Sequence, residues 1–164
     1  MSTQPLDFQK VGLDSEQATV VIFKKWAAQE GKTVKKCYDP YDREKDYWLD
    51  TEPVELKSAK YGSIPYETVS TYCPVTDTVK AIGWGRRLVN FKVRPTFYFI
   101  DTNSSTMFRL LPEDFERFVE HCERFNSIEK TVSTQRGSNT WHSKFKSVPS
   151  HSLIQAGILT QINV

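Results

Sequence analysis

Two carboxylates and an amine lie close together in the segment Asp46-Tyr47-Trp48-Leu49-Asp50-Thr51-Glu52-Pro53-Val54-Glu55-Leu56-Lys57. If Thr51 and Glu52 form a two-residue hairpin loop, Asp50 pairs with Pro53, Trp48 with Glu55, and Asp46 with Lys57. Residues directly opposite each other share a face of a sheet, and so do residues two apart on one strand. Asp46, Glu55 and Lys57 then converge on one side, while Tyr47, Leu49, Val54 and Leu56 form an apolar backing on the other. Paired carboxylates hold a hard divalent cation such as Mg2+ or Mn2+, and the Leu56 carbonyl is a further candidate ligand. Such a cation acidifies a bound water and stabilises charge on a phosphate. A neighbouring lysine orients or helps to deprotonate that water, or neutralises the developing charge. Together these groups suit phosphodiester hydrolysis. The competing reading is a surface hairpin with cross-strand charge pairing, which contributes little to stability. Asp39, Asp42 and Asp50 are alternative acids for the cation, placed on loops.

At these residues the sequence resembles the PD-(D/E)xK nuclease superfamily, which includes many restriction enzymes and Holliday junction resolvases. The family places an acid at the start of one strand and an acid-x-lysine on its partner. Asp46 and Glu55-Leu56-Lys57 match that order at a spacing of nine residues, the short end of the family range. The proline of the family name is replaced by Lys45. The resemblance implies a metal-dependent DNA endonuclease, with Asp46, Glu55 and Lys57 catalytic and Mg2+ or Mn2+ as cofactor. It also implies two accessory acids: Glu16 on the opening helix and Glu67 on the strand after the acid-x-lysine. Many members act as dimers, so a homodimer is implied as well. Glu30-Gly31-Lys32 matches acid-x-lysine too, but sits at a helix end and reads as a surface cap.

A nuclease needs a surface for phosphates. Arg86 and Arg87, in the basic turn Gly83-Trp84-Gly85-Arg86-Arg87, and Lys92 are candidates, with Trp84 as a ring that would stack on a base. Lys144 alternates with His142 and Lys146 on a strand and is a further candidate contact. The plain alternative is a solvated basic loop around a core tryptophan.

The elements that must position these groups follow from periodicity and punctuation. Asp14 or Ser15 caps a helix to about Gln29, its apolar stripe built on Ala18, Val21, Ile22 and Trp26. Strands are expected at 33–37, 46–50, 53–60, 66–72, 79–84, 94–101, 106–110, 128–135 and 140–148. Pro112 opens a helix to about Phe125 that buries Phe115, Phe118, Val119 and Cys122, and a last short helix follows Pro149. The order gives an α/β fold, a mixed central sheet flanked by helices, in one domain over 1–164 with 1–12 as a loose lead-in.

The 164-residue chain can bury one substantial core, and 38% hydrophobic with 26% charged residues is ordinary for a globular protein. A net charge of +2 does not exclude a phosphate-binding protein, which needs only a local basic patch. Three cysteines with no C-x-x-C, and no apolar run of membrane-spanning length, point to a cytoplasmic protein without a disulfide framework or membrane partner. A compact nuclease of this kind would suit a phage or mobile element. The rival readings are a catalytically inactive nuclease-like fold that binds nucleic acid or a protein partner, as inhibitor or adaptor, and a pure protein-interaction module.

Overall fold

A computed structural model of the chain describes residues 15–37, 45–136 and 139–164; for Ser15, Glu16, Thr134, Arg136 and Asn139 it describes the backbone alone. Within these residues the fold is α/β, with two sheets and four helices. The first sheet contains β1 (Val34–Lys36), β2 (Tyr47–Leu49), β3 (Glu52–Ala59), β6 (Thr96–Asp101), β7 (Thr106–Leu110) and β10 (Leu159–Asn163), side by side in that order. It is mixed, because β3 and β6 run parallel while the other neighbours are antiparallel. The second sheet is antiparallel, in the order β5 (Thr78–Ile82), β4 (Ser63–Cys73), β9 (Asn139–Pro149) and β8 (Glu129–Arg136). The expectation of one central sheet therefore covers only part of the molecule. No helix among the described residues is long and apolar enough to cross a membrane.

Strand β6 explains how the layers stack. All six of its residues are buried, so its alternate side chains feed two separate cores. Tyr98 and Ile100 join Leu49, Val54, Leu56 and Met107 beneath α1 (Ser15–Gln29), which contributes Ile22, Phe23, Trp26 and Ala27. The apolar backing expected for the 46–57 hairpin is thus the face that α1 covers. Val21, expected in the helix stripe, is half exposed instead. Phe97 and Phe99 point the other way and pack with Trp84, Phe108, Leu110 and residues of α3 (Phe115–Arg124). Phe115, Phe118 and Cys122 are the buried stripe of α3, as its periodicity predicts, and Val119 packs at the margin. The Lys146 ammonium donates to the Cys122 and Glu123 carbonyls at 2.7 and 3.0 Å, which satisfies acceptors at the helix C-terminus.

Two local features position the site. The first is the β2–β3 turn. Leu49 pairs with Glu52, so the loop is Asp50-Thr51 rather than the expected Thr51-Glu52. Asp50 takes a φ of +53°, a conformation that an aspartate tolerates better than a β-branched threonine. Its carboxylate also accepts from the Thr33 N–H at 2.9 Å. The pairing shifts by two residues, and every side chain keeps its predicted face.

The second feature is the β3–β4 turn, where Tyr61 and Gly62 both have positive φ, 53° and 71°. Buried Asp101 clamps this turn, accepting from the Gly62 N–H at 3.1 Å and the Asn103 N–H at 3.0 Å. Beyond it β3 stays in the first sheet and β4 enters the second, so the two strands part like a fork.

The segment 79–84, expected as one strand, is divided. β5 ends at Ile82, and Trp84–Arg87 forms one helical turn, α2. Strand β10, after Gly157, lies outside the expected elements.

Candidate active site

The site lies where β3 leaves the hairpin. Asp46 precedes β2, and its N–H donates to the Val54 carbonyl at 2.9 Å. Continuing the observed register places Asp46 opposite Glu55 rather than Lys57. The Asp46 side chain turns back over the strand, and its Oδ2 accepts from the Leu56 N–H at 3.2 Å. A strand residue presents its N–H and C=O to the same edge, so the Leu56 carbonyl lies on the Asp46 side.

Glu55 is 6% exposed, an unusual place for a carboxyl. Its Oε1 lies 3.4 Å from the Lys57 ammonium, and its Oε2 is buried without a hydrogen-bond partner. Burial is the main influence on its proton affinity. It pushes the carboxyl up to about 8, against the pull of Lys57 and with a further push from Asp46. The two acids can bond to each other only while one carries a proton.

Glu67 stands on β4 across the fork. Burial raises its carboxyl above the usual range, while the Trp84 N–H, Lys57 and Arg87 oppose that rise. The Trp84 N–H donates to Glu67 Oε1 at 3.0 Å. Two glycines allow this approach. A Cβ on Gly83 would lie 2.3 Å from the Glu67 carbonyl oxygen, and one on Gly85 would lie 2.5 Å from the Tyr66 ring. The Lys57 ammonium rests 5.4 Å from the centre of the Trp84 ring, so α2 holds both Glu67 and the lysine. The Gly-x-Gly spacing after a strand was the available signal for this close packing of backbone on backbone.

Asp46, Glu55, Lys57 and Glu67 are therefore brought together, with Arg87 within electrostatic range of Glu67. The fourth expected acid, Glu16, is in the first turn of α1, and its side chain lies outside the described residues. Asp39 and Asp42 also lie outside them. Asp50 is committed to the β2–β3 turn.

The expected phosphate contacts fare differently. Trp84 is 5% exposed and stacked against Phe97 and Phe118, so most of its ring is core, and only an edge of it reaches the cleft beside Lys57 and Glu67. Arg86 is held by Glu123 through two hydrogen bonds, at 2.7 and 3.3 Å. Lys144 pairs with Glu129 at 3.8 Å and lies over the Tyr72 ring at 4.0 Å. Lys92 is exposed on the segment before β6. Arg86, Lys92 and Lys144 do not line the cleft beside Lys57 and Glu67, whereas Lys60 and Lys130, which sequence reasoning passed over, do.

Among the described residues no group of three histidine, cysteine or acidic side chains could hold a metal ion. Two carboxylates with the Leu56 carbonyl would leave the remaining positions to water, which suits Mg2+ better than a metal that needs an all-protein cage. The buried, unpartnered Oε2 of Glu55 is the kind of atom a cation would satisfy. No family model, curated protein or solved structure matches the chain.

Proposed function

We propose that the chain is a metal-dependent deoxyribonuclease whose site is Asp46, Glu55 and Lys57. One observation carries this reading: Glu55, buried beside Asp46 with an unpartnered oxygen, lies 3.4 Å from the Lys57 ammonium at the edge of an open cleft. The resemblance to the PD-(D/E)xK superfamily supports it.

Asp46 and Glu55 would hold Mg2+ or Mn2+, with the Leu56 carbonyl completing the protein's share of the ligands. When bound, the cation would supply an acidified water and charge stabilisation at the phosphate. Lys57 is part-exposed and faces the cleft, where its ammonium can hold the attacking water or a phosphate oxygen. Glu67 is a positioning residue, because it fixes the backbone of Trp84, on whose ring Lys57 rests.

The test is cleavage of supercoiled plasmid and branched DNA with Mg2+ or Mn2+ against EDTA, using wild type beside Glu55→Ala and Lys57→Ala. Metal-dependent cutting should fall by about 10²–10⁴-fold in the Lys57 variant and at least as far in the Glu55 variant. Cutting that survives either change in a folded protein would remove the assignment.

The small donor set favours one rival, a nuclease-like fold that binds nucleic acid or protein without cutting. On that reading a folded wild type leaves both substrates intact, and a low-salt gel shift then separates a nucleic-acid binder from a protein adaptor.

A further inference from the structure

The fork between β3 and β4 encloses a cleft of about 490 Å³ that continues from the candidate site. Lys57, Ser58 and Lys60 line it from β3 and its end, and Ser63, Pro65 and Glu67 from β4. The far wall belongs to the second sheet, where Glu67, Phe145 and Lys130 lie abreast on adjacent strands. Phe145 is part-buried and belongs to neither core cluster, and Val132 beside it is 43% exposed.

The chemistry of these walls is specific. Lys60 and Lys130 are exposed and ion-paired with no described residue, whereas Arg86, Arg94, Arg117, Arg124 and Lys144 are all engaged by acids. Cations on either side of a slot with an aromatic ring in one wall match a polyanion with flat, apolar bases. The volume is that of a small-ligand pocket, about the scale of a nucleotide or two, so the cleft can take in a strand but cannot enclose a duplex.

We propose that this cleft takes a single strand of nucleic acid, with Lys60 and Lys130 holding its phosphates and Phe145 stacking a base. The inference rests on the nuclease reading for the position of the scissile phosphate beside Lys57. It specifies the substrate as a single strand, flap or unpaired end.

The test is fluorescence anisotropy in EDTA at low salt. A labelled mixed-sequence DNA strand is compared with the same strand annealed to its complement. Wild type should bind the single strand at least about tenfold more tightly than the duplex. Lys60→Glu with Lys130→Glu should abolish that preference, and Lys60→Ala with Lys130→Ala should make the log–log salt dependence shallower by roughly 1.4, at about 0.7 per phosphate lost. Phe145→Leu should weaken the single strand several-fold with the salt slope unchanged. Circular dichroism and melting of each variant establish that it is folded. Equal affinity for strand and duplex would overturn the proposal, and so would single-strand binding indifferent to the charge reversals.

The two readings fail separately. A protein that cuts DNA with metal yet ignores the lysine changes keeps the nuclease and loses the cleft. One that binds single strands through the lysines and never cuts keeps the cleft and loses the nuclease.

Discussion

Burial pushes the Glu55 carboxyl up to about 8, so at neutral pH the metal-free protein holds a proton where the proposed chemistry needs a charge. In the unfolded chain the same group titrates near its ordinary value of 4.5. The folded state binds this proton more tightly, so its stabilising effect is complete below pH 4.5 and is lost as pH rises to about 8. Glu55→Gln stays neutral throughout. Its stability should rise relative to wild type across that interval, by a few kcal/mol at most, and level off above it, as paired denaturant titrations would show. A divalent cation must displace the same proton. Calorimetry in buffers of different ionisation enthalpy should show close to one proton released per ion at neutral pH, with affinity tightening as pH rises towards 8. Binding without proton release would place the cation elsewhere. Glu67 offers a second test, since its Oε1 accepts the Trp84 N–H. Glu67→Gln can keep that acceptor. Glu67→Ala leaves the N–H unpaired and should cost roughly 1–3 kcal/mol in chemical denaturation.

The elements differ in how far sequence exposes them. The 46–57 hairpin could be read because a short turn between alternating strands fixes faces by local geometry alone, and a two-residue error in register leaves faces intact. Helices α1 and α3 were legible through their apolar periodicity. The parallel pairing of β3 with β6 was not, since it joins segments far apart in the chain. Nor was the second sheet, whose β4 and β9 are also distant in sequence. The place of Trp84 was open in the sequence, because glycines and arginines around a tryptophan suit an exposed basic loop as well as a core ring. Those glycines instead let one helical turn press against β4 and bury the ring. Gly83→Ala checks this directly. Its Cβ would meet backbone at 2.3 Å, so the turn must move. The variant should lose about 1–3 kcal/mol in chemical denaturation. Its cleavage activity should fall with the loss of the Trp84 support for Lys57, a result that an exposed loop would not give.

At the scale of the molecule, β6 and β7 supply both cores from opposite faces: Tyr98, Ile100 and Met107 to one, Phe97, Phe99 and Phe108 to the other. Neither core can dissolve without stripping the strands that the other requires. Trp26 reports on the first core and Trp84 on the second. With Trp48 and Trp141 changed to phenylalanine, further Trp26→Phe and Trp84→Phe variants should each show a single urea transition that coincides with loss of circular dichroism. Separated transitions would mean that the cores unfold independently.

The parallel pairing of β3 and β6 also bears on how the chain is made. Val54 is partnered by Thr96, 42 residues later. At translation rates of about 5–20 residues per second, roughly 2–8 s pass between synthesis of the two strands. Throughout that interval the nascent β3 carries Glu55-Leu56-Lys57 beside an edge with unpaired backbone groups, open to any extended segment that reaches it first. Proline cannot extend such a ladder, and Pro53 stands at the start of this strand; the charged Glu55 and Lys57 on one face further disfavour a wrong partner. The residues proposed to cut DNA would then also guard the strand that carries them until its proper neighbour is made.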